Sequence, residues 1–237
     1  KELRDGTELS GLLRALGTVP GDYWIRMFYC YPNSFTDEVL EVMASDPRFC
    51  RYLDMPFQHI SDPVLKKMNR KITRKEIEAT MARVRRQLPD VAWRTTFIVG
   101  FPTETDQDFE ELVDFVSEGH FQHLGIFLYS DEDNIRSSKF GDPIPLSLKE
   151  ERKNRLMEIQ QKISREHHQK MVGSLQQVLV GGFSSETDLL LEGRNQYQGP
   201  EVDGVVYINE GNATSAGFHQ VEITEAHEYD LVGKILN

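Results

Sequence analysis

For about 170 residues the chain alternates runs of apolar, β-branched and aromatic residues with amphipathic stretches of helical period, a pattern that few folds satisfy. Strands separated by helices predict a parallel sheet or barrel. Four strands can be placed, over residues 23–31, 51–57, 92–99 and 121–130. Helices are expected between them. One opens at Thr36, with Val39, Leu40 and Met43 inward; another at Ser61-Asp62-Pro63, where a capping residue precedes proline. A third follows the capping box Thr73 to Glu76 and carries Ile77, Met81, Val84 and Leu88, and a fourth, strongly acidic, buries Phe109, Leu112, Val113 and Val116. Four strand–helix units are too few to close a barrel of six or eight strands. The expectation is therefore a partial barrel with further strands upstream of Lys1, and a chain that starts without methionine agrees with a fragment.

Ser147 to Glu150 reads as the cap of a long last helix, with Leu156, Ile159 and Ile163 on its buried stripe. The period then changes. Short strands over 174–182, 188–194, 204–209, 218–224 and 230–236 alternate with Gly, Asn, Ser and Pro turns. Five such strands predict a small OB-like barrel, so the expected domains are 1–171, the C-terminal part of the α/β barrel, and 172–237, the β-domain.

Charge divides unevenly along the chain. The net charge is −11, and residues 170–237 carry three basic residues (Lys170, Arg194, Lys234) against ten acidic ones, a net of −7. So acidic a module is a poor match for a phosphate backbone and a good one for a basic protein. No apolar run is long enough to span a membrane and the N-terminus lacks signal-peptide order, so the expected location is the cytoplasm. Cys30 and Cys50 stand 20 residues apart, outside any metal or cluster spacing, and read as buried apolar residues.

In parallel α/β folds ligands bind where the strands end, which directs attention to three clusters. In Gln58-His59-Ile60-Ser61 an amide, an imidazole and a hydroxyl meet, although Ser61 could simply cap its helix and His59 be a satisfied polar residue of the core. In Thr95 to Thr105, Gly100 would let a ligand approach the backbone and Glu104 opens the acidic helix, although an ordinary tight turn accounts for the same residues. Tyr129-Ser130-Asp131-Glu132 puts a polar end on an apolar strand, or only an exposed loop. Neither a nucleophile–base pair nor a phosphate-binding loop is present, which removes the support for hydrolytic and phosphoryl-transfer chemistry.

Four segments in this order resemble the methylthiotransferase family of radical S-adenosylmethionine (SAM) enzymes, most closely its RimO type, which modifies a small-subunit ribosomal protein. They are Tyr52 to Ser61, Arg94 to Thr105, Pro200-Glu201-Val202-Asp203-Gly204 and His227 to Gly233. His59 after Gln58 is similar to the ribosomal-protein type, whereas tRNA-modifying relatives usually have serine there. Thr103 stands where the family commonly has glycine, and Asp133-Asn134 where it has Glu-Gly.

The resemblance implies an α/β fold, a partial radical-SAM (TIM-like) parallel barrel followed by an OB-like TRAM domain. It implies SAM as cofactor and two [4Fe-4S] clusters in the parent protein, with none bound by this chain, whose two cysteines match neither cluster set. The implied reaction has a 5′-deoxyadenosyl radical take hydrogen from the β-carbon of an aspartate in small-subunit ribosomal protein S-twelve, after which a methylthio group is inserted. Cofactor contacts carry over onto Gln58, Ser61, Thr96, Gly100, Glu104 and Tyr129, and substrate contacts onto His59, Glu201 and Asp203. The expected partner is a basic ribosomal protein, not nucleic acid and not a membrane, and this chain alone is expected to be inactive. The alternatives are a tRNA methylthiotransferase and, for the isolated chain, a non-catalytic protein-binding module.

Overall fold

The computed structural model describes residues 8–32, 35–132, 139–211 and 216–236. The N-terminal part holds four parallel strands in sequential order, β1 (Ile25–Met27), β2 (Phe49–Asp54), β3 (Ala92–Val99) and β4 (His123–Leu128). Helices α1 (Leu9–Gly17), α2 (Asp37–Ser45), α3 (Asp62–Lys67), α4 (Arg74–Gln87), α5 (Asp106–Ser117) and α6 (Leu146–Gln169) accompany them. Strand alternation sends Leu53, Trp93, Phe97 and Val99 to the helical side, where they join Leu40, Ile77, Val84, Leu112 and Val116 in the main core. The other sheet face carries Arg26, Tyr52, Asp54, Arg94, Thr96 and His123, the polar lining expected of a lumen.

Two strands are shorter than their apolar runs, each for a local reason. β1 stops before Tyr29, whose backbone turns left-handed (φ 55°) and whose N–H donates to the Asp54 carboxylate instead of a strand neighbour. β2 stops at Asp54, two residues before Pro56, which has no N–H to give; Gln58, also left-handed (φ 74°), then regains a single bridge to Phe97. The expected capping box of α4 is present, with Thr73 and Glu76 exchanging bonds.

The start of α6 differs from expectation. Pro145 takes the N-cap position and its carbonyl accepts from Leu148 and Lys149, so Ser147 lies inside the helix and caps nothing. The buried stripe differs too. Lys149, Arg152, Leu156, Gln160, Ser164 and His168 are buried, while Ile159 and Ile163 are only half-buried. A largely polar stripe is stable there because the ends of β3 and β4 present carboxylates and carbonyls to it.

The C-terminal part is a closed five-stranded barrel, β5 (Leu175–Phe183), β6 (Leu191–Asn195), β7 (Val206–Glu210), β8 (Gly217–Ala226) and β9 (Leu231–Ile235). The order β5-β6-β7-β9-β8, with β7 and β9 parallel, is an OB-like closure. Its own core is Val178, Val180, Val206, Ile208, Val221, Ile223 and Leu231.

Candidate functional site

Beyond the ends of β2, β3 and β4 lies a cavity of about 520 Å³, lined by Gln58, Ile98, Phe101, Leu128, Tyr129 and Ser130, with Lys67, Met68, Asn69 and Arg70 opposite. Its volume and mixed lining suit a nucleoside-sized ligand. The Tyr129 ring is edge-on to Phe101, 5.2 Å between centroids, and its buried hydroxyl has no hydrogen-bond partner. Gln58 is anchored by its backbone, N–H to the Thr96 carbonyl at 2.8 Å and carbonyl from the Ile98 N–H at 2.8 Å, which leaves its side chain to the cavity.

The other expected cofactor residues do not line this cavity. Ser61 sits at the N-cap of α3, but its hydroxyl donates to Asp108 and does not cap the helix. Asp108 also accepts from Thr105 Oγ1 at 2.6 Å and from its N–H at 2.9 Å. Burial opposes the charge of Asp108, yet these three donors outweigh it and hold the carboxyl below its ordinary range. Glu104 precedes α5, with Thr105 as the N-cap, and is buried: it accepts from the Gly100 N–H at 2.9 Å and from Arg152 at 2.6 Å. Gly100 has φ +75°, and the side its Cβ would occupy is filled by the Lys149 chain, not open to a ligand. Thr96 lies on the lumen face and is buried.

Two of the residues expected to contact substrate have buried side chains. His59 is fully buried behind the end of β2, with Nδ1 accepting from the Ser61 N–H at 3.0 Å and Nε2 facing Glu104 at 3.6 Å. The Asp203 side chain is only 2% exposed and points into the lumen. It accepts from Tyr52 Oη at 2.7 Å and from the Gly199 N–H at 2.7 Å, and faces Arg94 Nε at 3.4 Å and His123 Nδ1 at 3.5 Å. Glu201, two residues earlier, is exposed. The Asp133-Asn134 departure lies outside the described residues.

Sequence reasoning missed three contributors. Lys149 donates to the Tyr129 carbonyl at 2.8 Å and pairs with Asp142, and Arg152 bridges Glu104 and Asp106 at 2.6 Å each. Arg94, quoted within a motif but given no role, is gripped by Asp54 at 3.1 Å and by Asp203. Burial alone would lower its pKa; Asp203, Tyr52 and Asp54 reverse that and raise it. A Lys and an Arg three apart on a helix stripe that otherwise reads as apolar were the available signal for the first two.

The two thiols do not fit iron–sulfur ligation. Burial pushes Cys30 up to about 12 and Cys50 to about 11, and two thiols are fewer than the set of thiolates that holds a cluster. Among the described residues no group of three or more His, Cys, Asp or Glu side chains is placed to hold a metal ion, and no helix is long and apolar enough to cross a membrane.

Comparison with known proteins adds the family. The radical SAM superfamily model matches residues 4–116 and the TRAM domain model matches residues 172–236. The ribosomal protein uS12 methylthiotransferase RimO of Bdellovibrio bacteriovorus is 48% identical over 225 residues, 95% of this chain and 49% of that protein. The enzyme of the same name from Geobacter sulfurreducens is 41% identical over 237 residues, 100% of this chain and 53% of that protein. The chain thus spans about half the length of the curated relatives it matches. Among solved structures, the radical S-adenosylmethionine methyltransferase TsrM of Kitasatospora setae overlaps 44% of this chain and 19% of its own, with 22% identity and a TM-score of 0.36, too partial an overlap to bear on function. With a radical SAM segment, a TRAM barrel behind it and 41–48% identity to these relatives along nearly its whole length, the chain belongs to the radical SAM methylthiotransferase family.

Proposed function

We propose that this chain is the cofactor- and partner-binding part of a cytoplasmic methylthiotransferase that modifies the β-carbon of an aspartate in ribosomal protein uS12. The observation that carries the reading is the cavity at the strand ends, to which Gln58, Ile98 and Phe101 of the family-like segments contribute. SAM, when bound there, would supply the hydrogen-abstracting fragment, and a second SAM molecule would supply the methyl group. Ile98, Phe101 and Leu128 offer an apolar wall to an adenine ring, while the free Tyr129 hydroxyl and the Gln58 amide offer polar contacts. Ser61, Gly100 and Glu104 act one layer back, holding the loops that carry Gln58 and Phe101, and Thr96 serves through the backbone bond that fixes Gln58.

The acidic β-domain suits a basic protein partner better than RNA, and exposed Glu201 is the acidic group of its motif loop available for that contact. With only two cysteines, Cys50 buried and Cys30 half-buried, this segment alone is inferred to be catalytically silent.

The test uses full-length protein containing this segment, reconstituted anaerobically and offered uS12 and tRNA in parallel. Mass spectrometry should find one methylthio group on a uS12 aspartate; modification of tRNA alone would overturn the assignment. Tyr129→Phe should weaken S-adenosylhomocysteine binding about three- to tenfold, the scale of one hydrogen bond, read by titration calorimetry.

A further inference from the structure

The motif loop 199–204 exposes Glu201 and Val202 but turns Asp203 inward. It belongs to the β-domain, yet it inserts a carboxylate against the lumen side of the parallel sheet, where Asp203 meets Tyr52, Arg94 and His123. The fit is close on both sides: a Cβ at Gly199 would press on the Tyr52 hydroxyl, and one at Gly204 would collide with the Tyr229 backbone. Neighbouring contacts fasten the same loop. Arg26 donates to the carbonyls of Asn195 and Gln196 at 3.2 and 3.3 Å, and His123 Nε2 meets the Tyr197 carbonyl at 2.7 Å.

From Asp203 a continuous chain of polar contacts runs upward. Arg94 lies between Asp203 and Asp54, and Asp54, at the end of β2, accepts from the Tyr29 N–H at 2.9 Å, while its backbone carbonyl accepts from the Cys30 N–H at 2.8 Å. Tyr29 is a non-glycine residue in the left-handed region, with its ring 79% exposed just past the end of β1. Such a conformation persists only where its surroundings impose it, and here the Asp54 carboxylate does so. We propose that Asp203 is a positioning residue supplied by the TRAM barrel: by fixing Arg94 between two carboxylates it orients Asp54, and so sets the backbone of Tyr29 and Cys30 at the rim of the sheet. The inference does not depend on the proposed reaction. It makes the two domains one unit in which the β-domain shapes the edge of the lumen.

Asp203→Asn keeps the shape and the bond from Tyr52 but removes the charge that opposes Asp54 across Arg94. Hydrogen exchange on the whole chain should show the Tyr29 and Cys30 amides losing about tenfold in protection, the mark of a local opening, with amides of α4 unchanged. Ile223→Val, which loosens the β-barrel core away from the network, should leave Tyr29 and Cys30 as in the wild type. Unchanged protection in Asp203→Asn, or equal loss in both variants, overturns the proposal. If Asp203→Asn does not fold, Arg94→Lys reads the same link, since an ammonium cannot span two carboxylates as the guanidinium fork does; intact protection there overturns it equally.

Discussion

Gly100 shows how a single position can be read correctly as special and for a different reason from the one that holds. Its φ of +75° is one that side chains rarely adopt, and the space beside its Cα belongs to the Lys149 chain. Clearance for a lysine, and not for a ligand, is what excludes a side chain there. Gly100→Ala should cost about 1–3 kcal/mol from backbone conformation alone, with the contact against Lys149 added. Combined with Lys149→Ala, part of the loss should be returned, so the double variant should be more stable in urea than the sum of the single effects by at least about 0.5 kcal/mol. Strict additivity would mean that the lysine and the glycine do not compete for the same space.

Among the elements, α6 binds the site together most directly. Its buried Lys149 and Arg152 reach the ends of β4 and β3, and through Glu104 the helix grips the Gly100 N–H. Arg152→Met leaves Glu104 buried without its cation and should destabilise the fold by about 3–5 kcal/mol. Adding Glu104→Gln, which removes the stranded charge, should restore a substantial part, measured as a recovered urea midpoint; failure to recover would place the cost in packing. This stripe also marks the limit of what the sequence discloses. β3 was legible to the residue because Ala92 to Val99 is a run rich in β-branched and aromatic residues that stops at Gly100, and the five short strands of the barrel were legible from their turns. The α6 face was not, because periodicity counts apolar residues and cannot see that Arg152 lies over carboxylates 46 and 48 residues earlier in the chain. The partners of His59 and Asp203 were hidden for the same reason: Glu104, Arg94 and Tyr52 are distant from them in sequence and close only once the chain has folded.

At the scale of the whole molecule the junction between the domains carries ionisable groups that couple it to pH. His168, in the last turn of α6, is buried against the β-domain, with Nδ1 3.1 Å from the His227 carbonyl. Burial lowers its pKa from the ordinary 6.5, only partly offset by that carbonyl; nearby His123 and His167 lower it further while Asp230 raises it. His167, beside it, is lowered by burial as well. A folded-state pKa below the unfolded one means that folding favours the neutral ring. The stability this confers is complete above pH 6.5 and is lost as the pH falls through the folded-state value, at about 1.4 kcal/mol for each unit of depression. Asp108 works in the same direction but lower, its contribution being lost only below the ordinary aspartate value of 3.8. The two windows separate the domain junction from the interior of the α/β part. Thermal unfolding should therefore show a fall in midpoint between pH 7 and pH 5 that His168→Asn reduces, because an amide keeps a donor for the His227 carbonyl and cannot be protonated. The acid limb below pH 4 should be unaffected by that substitution. An equal slope between pH 7 and pH 5 in both proteins would show that the imidazole does not govern the junction.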